Sequence, residues 1–382
     1  MNKLKKNISN KKKIIIFSVG RSDIGILTNL IKKIEKDPKF DLDLAICGAN
    51  NTSKFGLFKN ELKFNSKKIF YLRSKYSGSQ NKDIINYFSN HLYFSNKLFD
   101  KKKYDAAIIM GDRYEMLSIS VVCLNYQIPI MHFCGGSITR GSIDNTNRYC
   151  ISLMSTSHFV ETKFHKQNLI RHGISKNIFV VGAPALENFQ KKLLSKKQIE
   201  QKFKIKMNNK FMICTFHPET TISADENINN LLELINFLNN CNYFKIFTYP
   251  NADQGFTLFI DLIKKKLDLK NVLLIKNLGK KNYYSLLKYS NLVIGNSSSG
   301  IIECASFKLP VINLGNRQKG RYFMKNVIHC EFDKNKIAKA FKLSQSMGFL
   351  KKIKKIKNDY EMNNTSSNSI KIIHKLLSNK KN

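Results

Sequence analysis

Apolar residues in this chain fall into two recurring patterns. Short continuous runs rich in Ile, Val, Leu and Phe cover Lys13 to Val19, Asp41 to Cys47, Lys67 to Leu72, Tyr104 to Met110, Ile130 to Phe133, His158 to Glu161 and Asn177 to Gly182. A run that is apolar at successive positions suits a parallel strand buried on both faces. Between these runs lie amphipathic patterns of helical period over 24–36, 81–100, 111–126 and from Asp144 onward, with a helix-like piece near 53–61. Asp23 and Asp144 stand where an N-cap is expected.

Residues 190–208 are lysine-rich and carry no strand pattern, as a linker with one helix would. The alternation then restarts. Strands are expected at Lys210 to Phe216, Phe244 to Tyr249, Val272 to Ile275, Asn291 to Gly295 and Pro310 to Leu314. Helices are expected over 225–241, 254–268, 281–289 and in a lysine-rich tail over 333–378. Pro129, Pro184, Pro218, Pro250 and Pro310 flank strand ends, where the chain switches between strand and helix. Two successive α/β halves predict two doubly wound domains, 1–190 and 191–382, with a cleft between them.

The 382 residues suffice for two such cores. Net charge is +38, from 65 Lys+Arg against 27 Asp+Glu. The excess is mostly lysine spread along the whole chain, so it favours anionic small ligands over a nucleic-acid surface, and no nucleic-acid-binding signature accompanies it. Eight cysteines without a CxxC pair read as free thiols of a reducing cytoplasm. No apolar stretch reaches the length of a membrane span, so no membrane partner is expected. No His/Cys/carboxylate set has metal-ligand spacing, and neither metal nor cofactor is expected.

Polar residues gather at the C-terminal ends of the predicted strands in both halves. In open parallel sheets this is where ligands bind. They are Arg21, Asp112, Arg113, the Cys134–Asp144 loop with Arg148 beyond it, His217, Asn251, Ser297, Ser298, Glu303 and Arg317. Singly, Asp112 and Asp144 could be helix caps, His217 a loop histidine, and Arg148 a partner of Asp144 one helical turn away. The stretch from Gly295 to Arg321 is the most telling. A strand leads into Asn296, three serines and Gly300, and a helix pattern begins at once. Such a turn presents backbone N–H groups to an anionic phosphate. Glu303, in the first turn of that helix, suits the neutral hydroxyls of a ribose.

These residues carry a resemblance. GDRYE (111–115), GGSITRGSIDNTNR (135–148), VGAPALE (181–187), HPET (217–220), YPNADQG (249–255) and the 295–321 stretch together resemble the hydrolysing UDP-N-acetylglucosamine 2-epimerases, in the branch serving sialic and legionaminic acid synthesis. The resemblance implies a GT-B fold of two Rossmann-like domains with a central cleft. It implies a UDP-sugar substrate, anti elimination of UDP to a glycal, and rehydration to the free 2-epimer. Asp112, Asp144, Arg148 and His217 would be catalytic. Arg21, Arg113, Asn251, Ser297, Ser298, Glu303 and Arg317 would hold the UDP-sugar. The sugar would be N-acetylglucosamine or a 2,4-diacetamido-trideoxy analogue, and the enzyme a cytoplasmic homo-oligomer, dimer or tetramer. The family's loop glutamate, at the position of Cys134 or of Ser137, is missing here. A GT-B glycosyltransferase using a UDP-sugar is the alternative on the same scaffold.

Overall fold

The computed structural model describes residues 11–19, 21–47, 68–72, 81–187, 189, 193–206, 210–250, 256–276 and 278–378, with only the backbone of Arg21, Ser22, Phe256 and Thr257. The expected helix near 53–61 and the 249–255 motif beyond Pro250 fall outside these residues.

The first lobe contains strands β1 (Lys12–Ser18), β2 (Phe40–Ile46), β3 (Ile69–Tyr71), β4 (Ala106–Met110), β5 (Ile130–Phe133), β6 (Ser157–Val160) and β7 (Ile178–Val180). All pair in parallel, in the order β3-β2-β1-β4-β5-β6-β7. Helices α1 (Arg21–Lys36), α2 (Asn81–Lys101), α3 (Tyr114–Asn125), α4 (Asp144–Met154) and α5 (Lys163–Arg171) are its crossovers. The second lobe contains β8 (Phe211–Thr215), β9 (Phe244–Thr248), β10 (Val272–Ile275), β11 (Leu292–Gly295), β12 (Val311–Leu314) and β13 (Val327–Cys330) in the order β10-β9-β8-β11-β12-β13. Helices α6 (Lys196–Phe203) to α13 are α7 (Ala224–Asn239), α8 (Phe256–Lys266), α9 (Gly279–Tyr289), α10 (Ser298–Ile302), α11 (Lys334–Ser344), α12 (Met347–Lys354) and α13 (Thr365–Ser378). Both sheets are doubly wound, so the chain is α/β with two Rossmann-like domains, the GT-B arrangement.

The continuous apolar strand runs follow from burial on both faces. In β1, Ile14 and Ile16 pack with α1 on one side, while Ile15 and Phe17 pack with Met116, Ile119 and Ile151 on the other. Each sheet reverses its winding at one place, between β1 and β4 in the first and between β8 and β11 in the second. The carboxyl ends of those strands form the natural crevice.

Three local expectations need correction. α1 begins at Arg21, so Asp23 lies inside its first turn; its carboxylate still accepts from Val19 N at 3.1 Å. Asp144 is the first residue of α4 rather than its N-cap, a position held by Ile143. The final helix leaves the second lobe. Ile370, Ile373 and Leu377 of α13 join the core of the first lobe beside Leu27, Leu30 and Ile34 of α1. Chain order and spatial order therefore diverge at the end, and residues 365–378 do not stay with 191–382. Two short elements were not expected: α5 carries few apolar residues, and β13 is a four-residue strand at the sheet edge.

Candidate active site

At the first switch point, Gly111 follows β4 and turns the chain so that Asp112 faces the cleft, 25% exposed. His132 fixes this turn. It is fully buried, its Nε2 lies 2.8 Å from Gly111 O and its Nδ1 lies 3.0 Å from Ser152 Oγ. Burial pulls the ring's pKa down to about 4, so it is neutral at physiological pH.

Arg148 rises from α4 into the same place. Its side chain is only 2% exposed, and it forms an ion pair with Asp112. Its Nη1 donates to Ser137 O at 2.7 Å and to Thr139 Oγ1 at 3.1 Å. Burial, with Arg321 nearby, pulls the guanidinium down to about 9, and it stays charged at neutral pH. The expected pairing of Arg148 with Asp144 is replaced by this cross-element pair. Asp144 instead accepts from Ser142 Oγ at 3.0 Å. Arg113 is held by its own lobe: its Nε and Nη2 donate to Glu115 at 3.1 and 3.4 Å.

The second switch point is organised by Asn296, which is fully buried. Its side chain accepts from His217 N and donates to His217 O, both at 2.7 Å, clamping the end of β8 to the end of β11. Its carbonyl oxygen accepts from Gln318 Nε2 at 2.9 Å and Arg317 Nη1 at 3.3 Å. Gly295 makes this approach possible. Its φ is +136°, and a Cβ there would stand 1.9 Å from Thr215 O. Ser297 is the N-cap of α10 and accepts from Ser299 N; Ser298 is the first residue of that helix. Glu303 is the C-cap of α10 instead of a first-turn residue, and it accepts from Ser299 Oγ and from Tyr284 Oη, the latter at 3.0 Å. Burial raises its pKa, against the Ser299 and Tyr284 bonds and the charge of Lys280. Thus Glu303 already accepts from neutral hydroxyls, the type of donor a ribose would supply.

The two lobes meet through the loops singled out above. Arg140 N donates to Lys319 O at 2.9 Å, and Ile143 N donates to Thr220 Oγ1 at 3.0 Å. Gly141 sits so close to the second lobe that a Cβ would lie 2.5 Å from Asn316 O. Within the second lobe, Glu219 holds the same loop by accepting from Asn316 N at 2.8 Å. The HPET segment is therefore a clasp as well as a site for His217. The structure brings Asp112, Arg148 and the loop bearing Asp144 up to the loop that carries Arg317. The side chain of Arg21 and the whole of Asn251 lie outside the described residues.

Sequence reasoning gave Asn296, Glu219 and Glu161 no site role. Asn296 looked like one more small turn residue, and Glu161 like the end of a strand. Among the described residues, no three His, Cys, Asp or Glu side chains gather as a metal site, and no helix is long and apolar enough to cross a membrane.

Two doubly wound lobes facing each other across polar strand ends define a nucleotide-sugar enzyme scaffold. The chain belongs to the UDP-N-acetylglucosamine 2-epimerase family, whose model matches residues 32–374. It is 36% identical over 354 residues to a GDP/UDP-N,N'-diacetylbacillosamine 2-epimerase (hydrolyzing) of Campylobacter jejuni, covering 89% of each chain. It is 31% identical to polysialic acid biosynthesis protein P7 of Escherichia coli, covering 97% of this chain and 95% of that one. The crystal structure of UDP-GlcNAc 2-epimerase from Neisseria meningitidis bound to UDP-GlcNAc shares the fold. Its TM-score is 0.78 at 18% identity, over 95% of this chain and 100% of that one.

Proposed function

We propose that this hydrolysing UDP-sugar 2-epimerase acts on a UDP-linked 2,4-diacetamido-2,4,6-trideoxyhexose, and releases UDP and the free 2-epimer for nonulosonic acid synthesis. The likeness to the Campylobacter enzyme supports the sugar, and the likeness to protein P7 supports the destination. UDP-N-acetylglucosamine is the second candidate, favoured by the family description.

The observation that carries the chemistry is the Asp112–Arg148 ion pair at the first switch point. UDP rests on Ser297, Ser298, Glu303 and Arg317, with Arg21, Arg113 and Asn251 as further contacts. As a carboxylate removes the C2 proton, the C2–H electron pair forms the C1–C2 double bond and the C1–O pair leaves with UDP. Arginine and main-chain N–H groups stabilise the departing diphosphate without a metal ion. Water then adds at C1 and a proton returns to the opposite face of C2. Asp112 and Asp144 handle protons, Arg148 holds Asp112, and His217 lies beside the diphosphate and sugar.

A panel of UDP-sugars tests the substrate. The diacetamido sugar should be converted with the highest kcat/KM. Turnover of UDP-N-acetylglucosamine with none of the diacetamido sugar would reverse the assignment. Removing the Glu303 carboxyl group by Glu303→Ala should weaken UDP binding about tenfold, because hydroxyl bonds to a buried acceptor are lost. Titration calorimetry giving unchanged affinity would remove Glu303 from the ribose site.

A further inference from the structure

Glu161 has no part in the chemistry above, yet it is buried beside the Asp112–Arg148 pair. It follows β6 directly and is 4% exposed. The register places it well. Met110 pairs with Phe133, and Phe133 pairs with Phe159. Asp112 and Glu161 therefore follow the carboxyl ends of β4 and β6, which only β5 separates. Asp112 and Glu161 are then two strand spacings apart, roughly 10 Å between backbones. Gly135 follows the strand between them, and a Cβ there would stand 2.9 Å from the His132 ring and 3.1 Å from Ser152 Oγ, so glycine lets this turn pack directly on the histidine that holds Gly111.

The surroundings of Glu161 are those of a ligand-facing polar chamber. The Cys134 thiol hydrogen-bonds its carboxyl group, and Arg148 and Arg321 lie within electrostatic reach, one from each lobe. Three nearby polar atoms are buried without a hydrogen-bond partner: Ser137 Oγ, His165 Nε2 and Arg321 Nε. Ser137 and His165 are 2% and 0% exposed. The His165 ring lies 4.0 Å from Glu161, and Ser137 O holds Arg148. Native interiors rarely leave such groups unpaired unless a ligand or a functional demand accounts for them.

The overall reaction moves three protons: one leaves C2 during elimination, one returns to C2 during hydration, and one leaves the water that adds to C1. Asp112 and Asp144 account for two. We propose that Glu161 is the third acid–base carboxyl of this site. As a carboxylic acid on the far side of Arg148 from Asp112's strand, it gives its proton to C2 of the glycal while water bonds to C1, and becomes a carboxylate. Burial raises its pKa against the two arginines, which favours the protonated form that this step needs. The inference rests on the epimerase reading above.

The test is Glu161→Gln, which keeps shape and removes the transferable proton. Formation of the free 2-epimer should fall about 100-fold or more, the range of a lost general acid. UDP and the glycal should appear in its place, detected by mass spectrometry, with UDP affinity unchanged. Glu161→Asp should recover part of the hydration rate. Free 2-epimer formed at nearly the wild-type rate, or a rate loss accompanied by loss of UDP binding, would overturn the assignment. A wild-type protein that turns over no UDP-sugar would instead overturn the epimerase reading, and this inference with it.

Discussion

Replacing Asp112 with asparagine should lower turnover by about a thousandfold, as loss of an acid–base group at the reacting carbon does. UDP affinity should stay close to that of the parent. The side chains that would hold UDP come mainly from the second lobe, whereas Asp112 is on the first, fixed by Gly111, His132 and Arg148. The amide keeps the size of the carboxylate and can still accept from Arg148, so positioning survives while proton affinity is lost. Arg148 would then be buried without its carboxylate partner, which adds some loss of stability. Steady-state kinetics with calorimetric UDP binding separates these effects. A rate within threefold of the parent would place the proton chemistry elsewhere.

Replacing Asn296 with alanine should damage the second lobe itself. The Asn296 side chain satisfies both main-chain groups of His217 in a fully buried place. Truncation strands a donor and an acceptor, at about 1–3 kcal/mol each. It also releases the end of β8 from the end of β11, so His217 and the Ser297 turn lose their common reference. Thermal unfolding should shift downward and UDP affinity should fall together with it. Unchanged stability would mean that water replaces the amide without cost, and that the clamp is incidental.

The alternation of strands and helices was legible because the inner strands are buried on both faces, which writes an uninterrupted apolar run such as Ile14 to Phe17. The switch points were legible through the polar residues that interrupt those runs at Asp112, His217 and Ser297. Pairings between elements were not. Arg148 and Asp144 are one helical turn apart, and nothing in their spacing reveals that Arg148 turns to Asp112 instead. Asn296 gives no sign of its burial, since asparagine beside glycine normally signals an exposed turn. Glu161 looked like the end of a strand because its arginine neighbours come from positions 148 and 321, which only the fold brings together. The return of α13 to the first lobe was hidden for the same reason: its apolar stripe fits either lobe, and only the packing against α1 decides.

Elimination followed by rehydration requires that C2 lose its hydrogen and regain one from solvent while UDP departs. Turnover of the UDP-sugar in deuterium oxide, read by proton NMR of the released sugar, addresses it directly. One deuterium at C2 of an inverted product is the predicted result. A product that keeps its original C2 hydrogen, or a sugar released with no change at C2, would contradict the account.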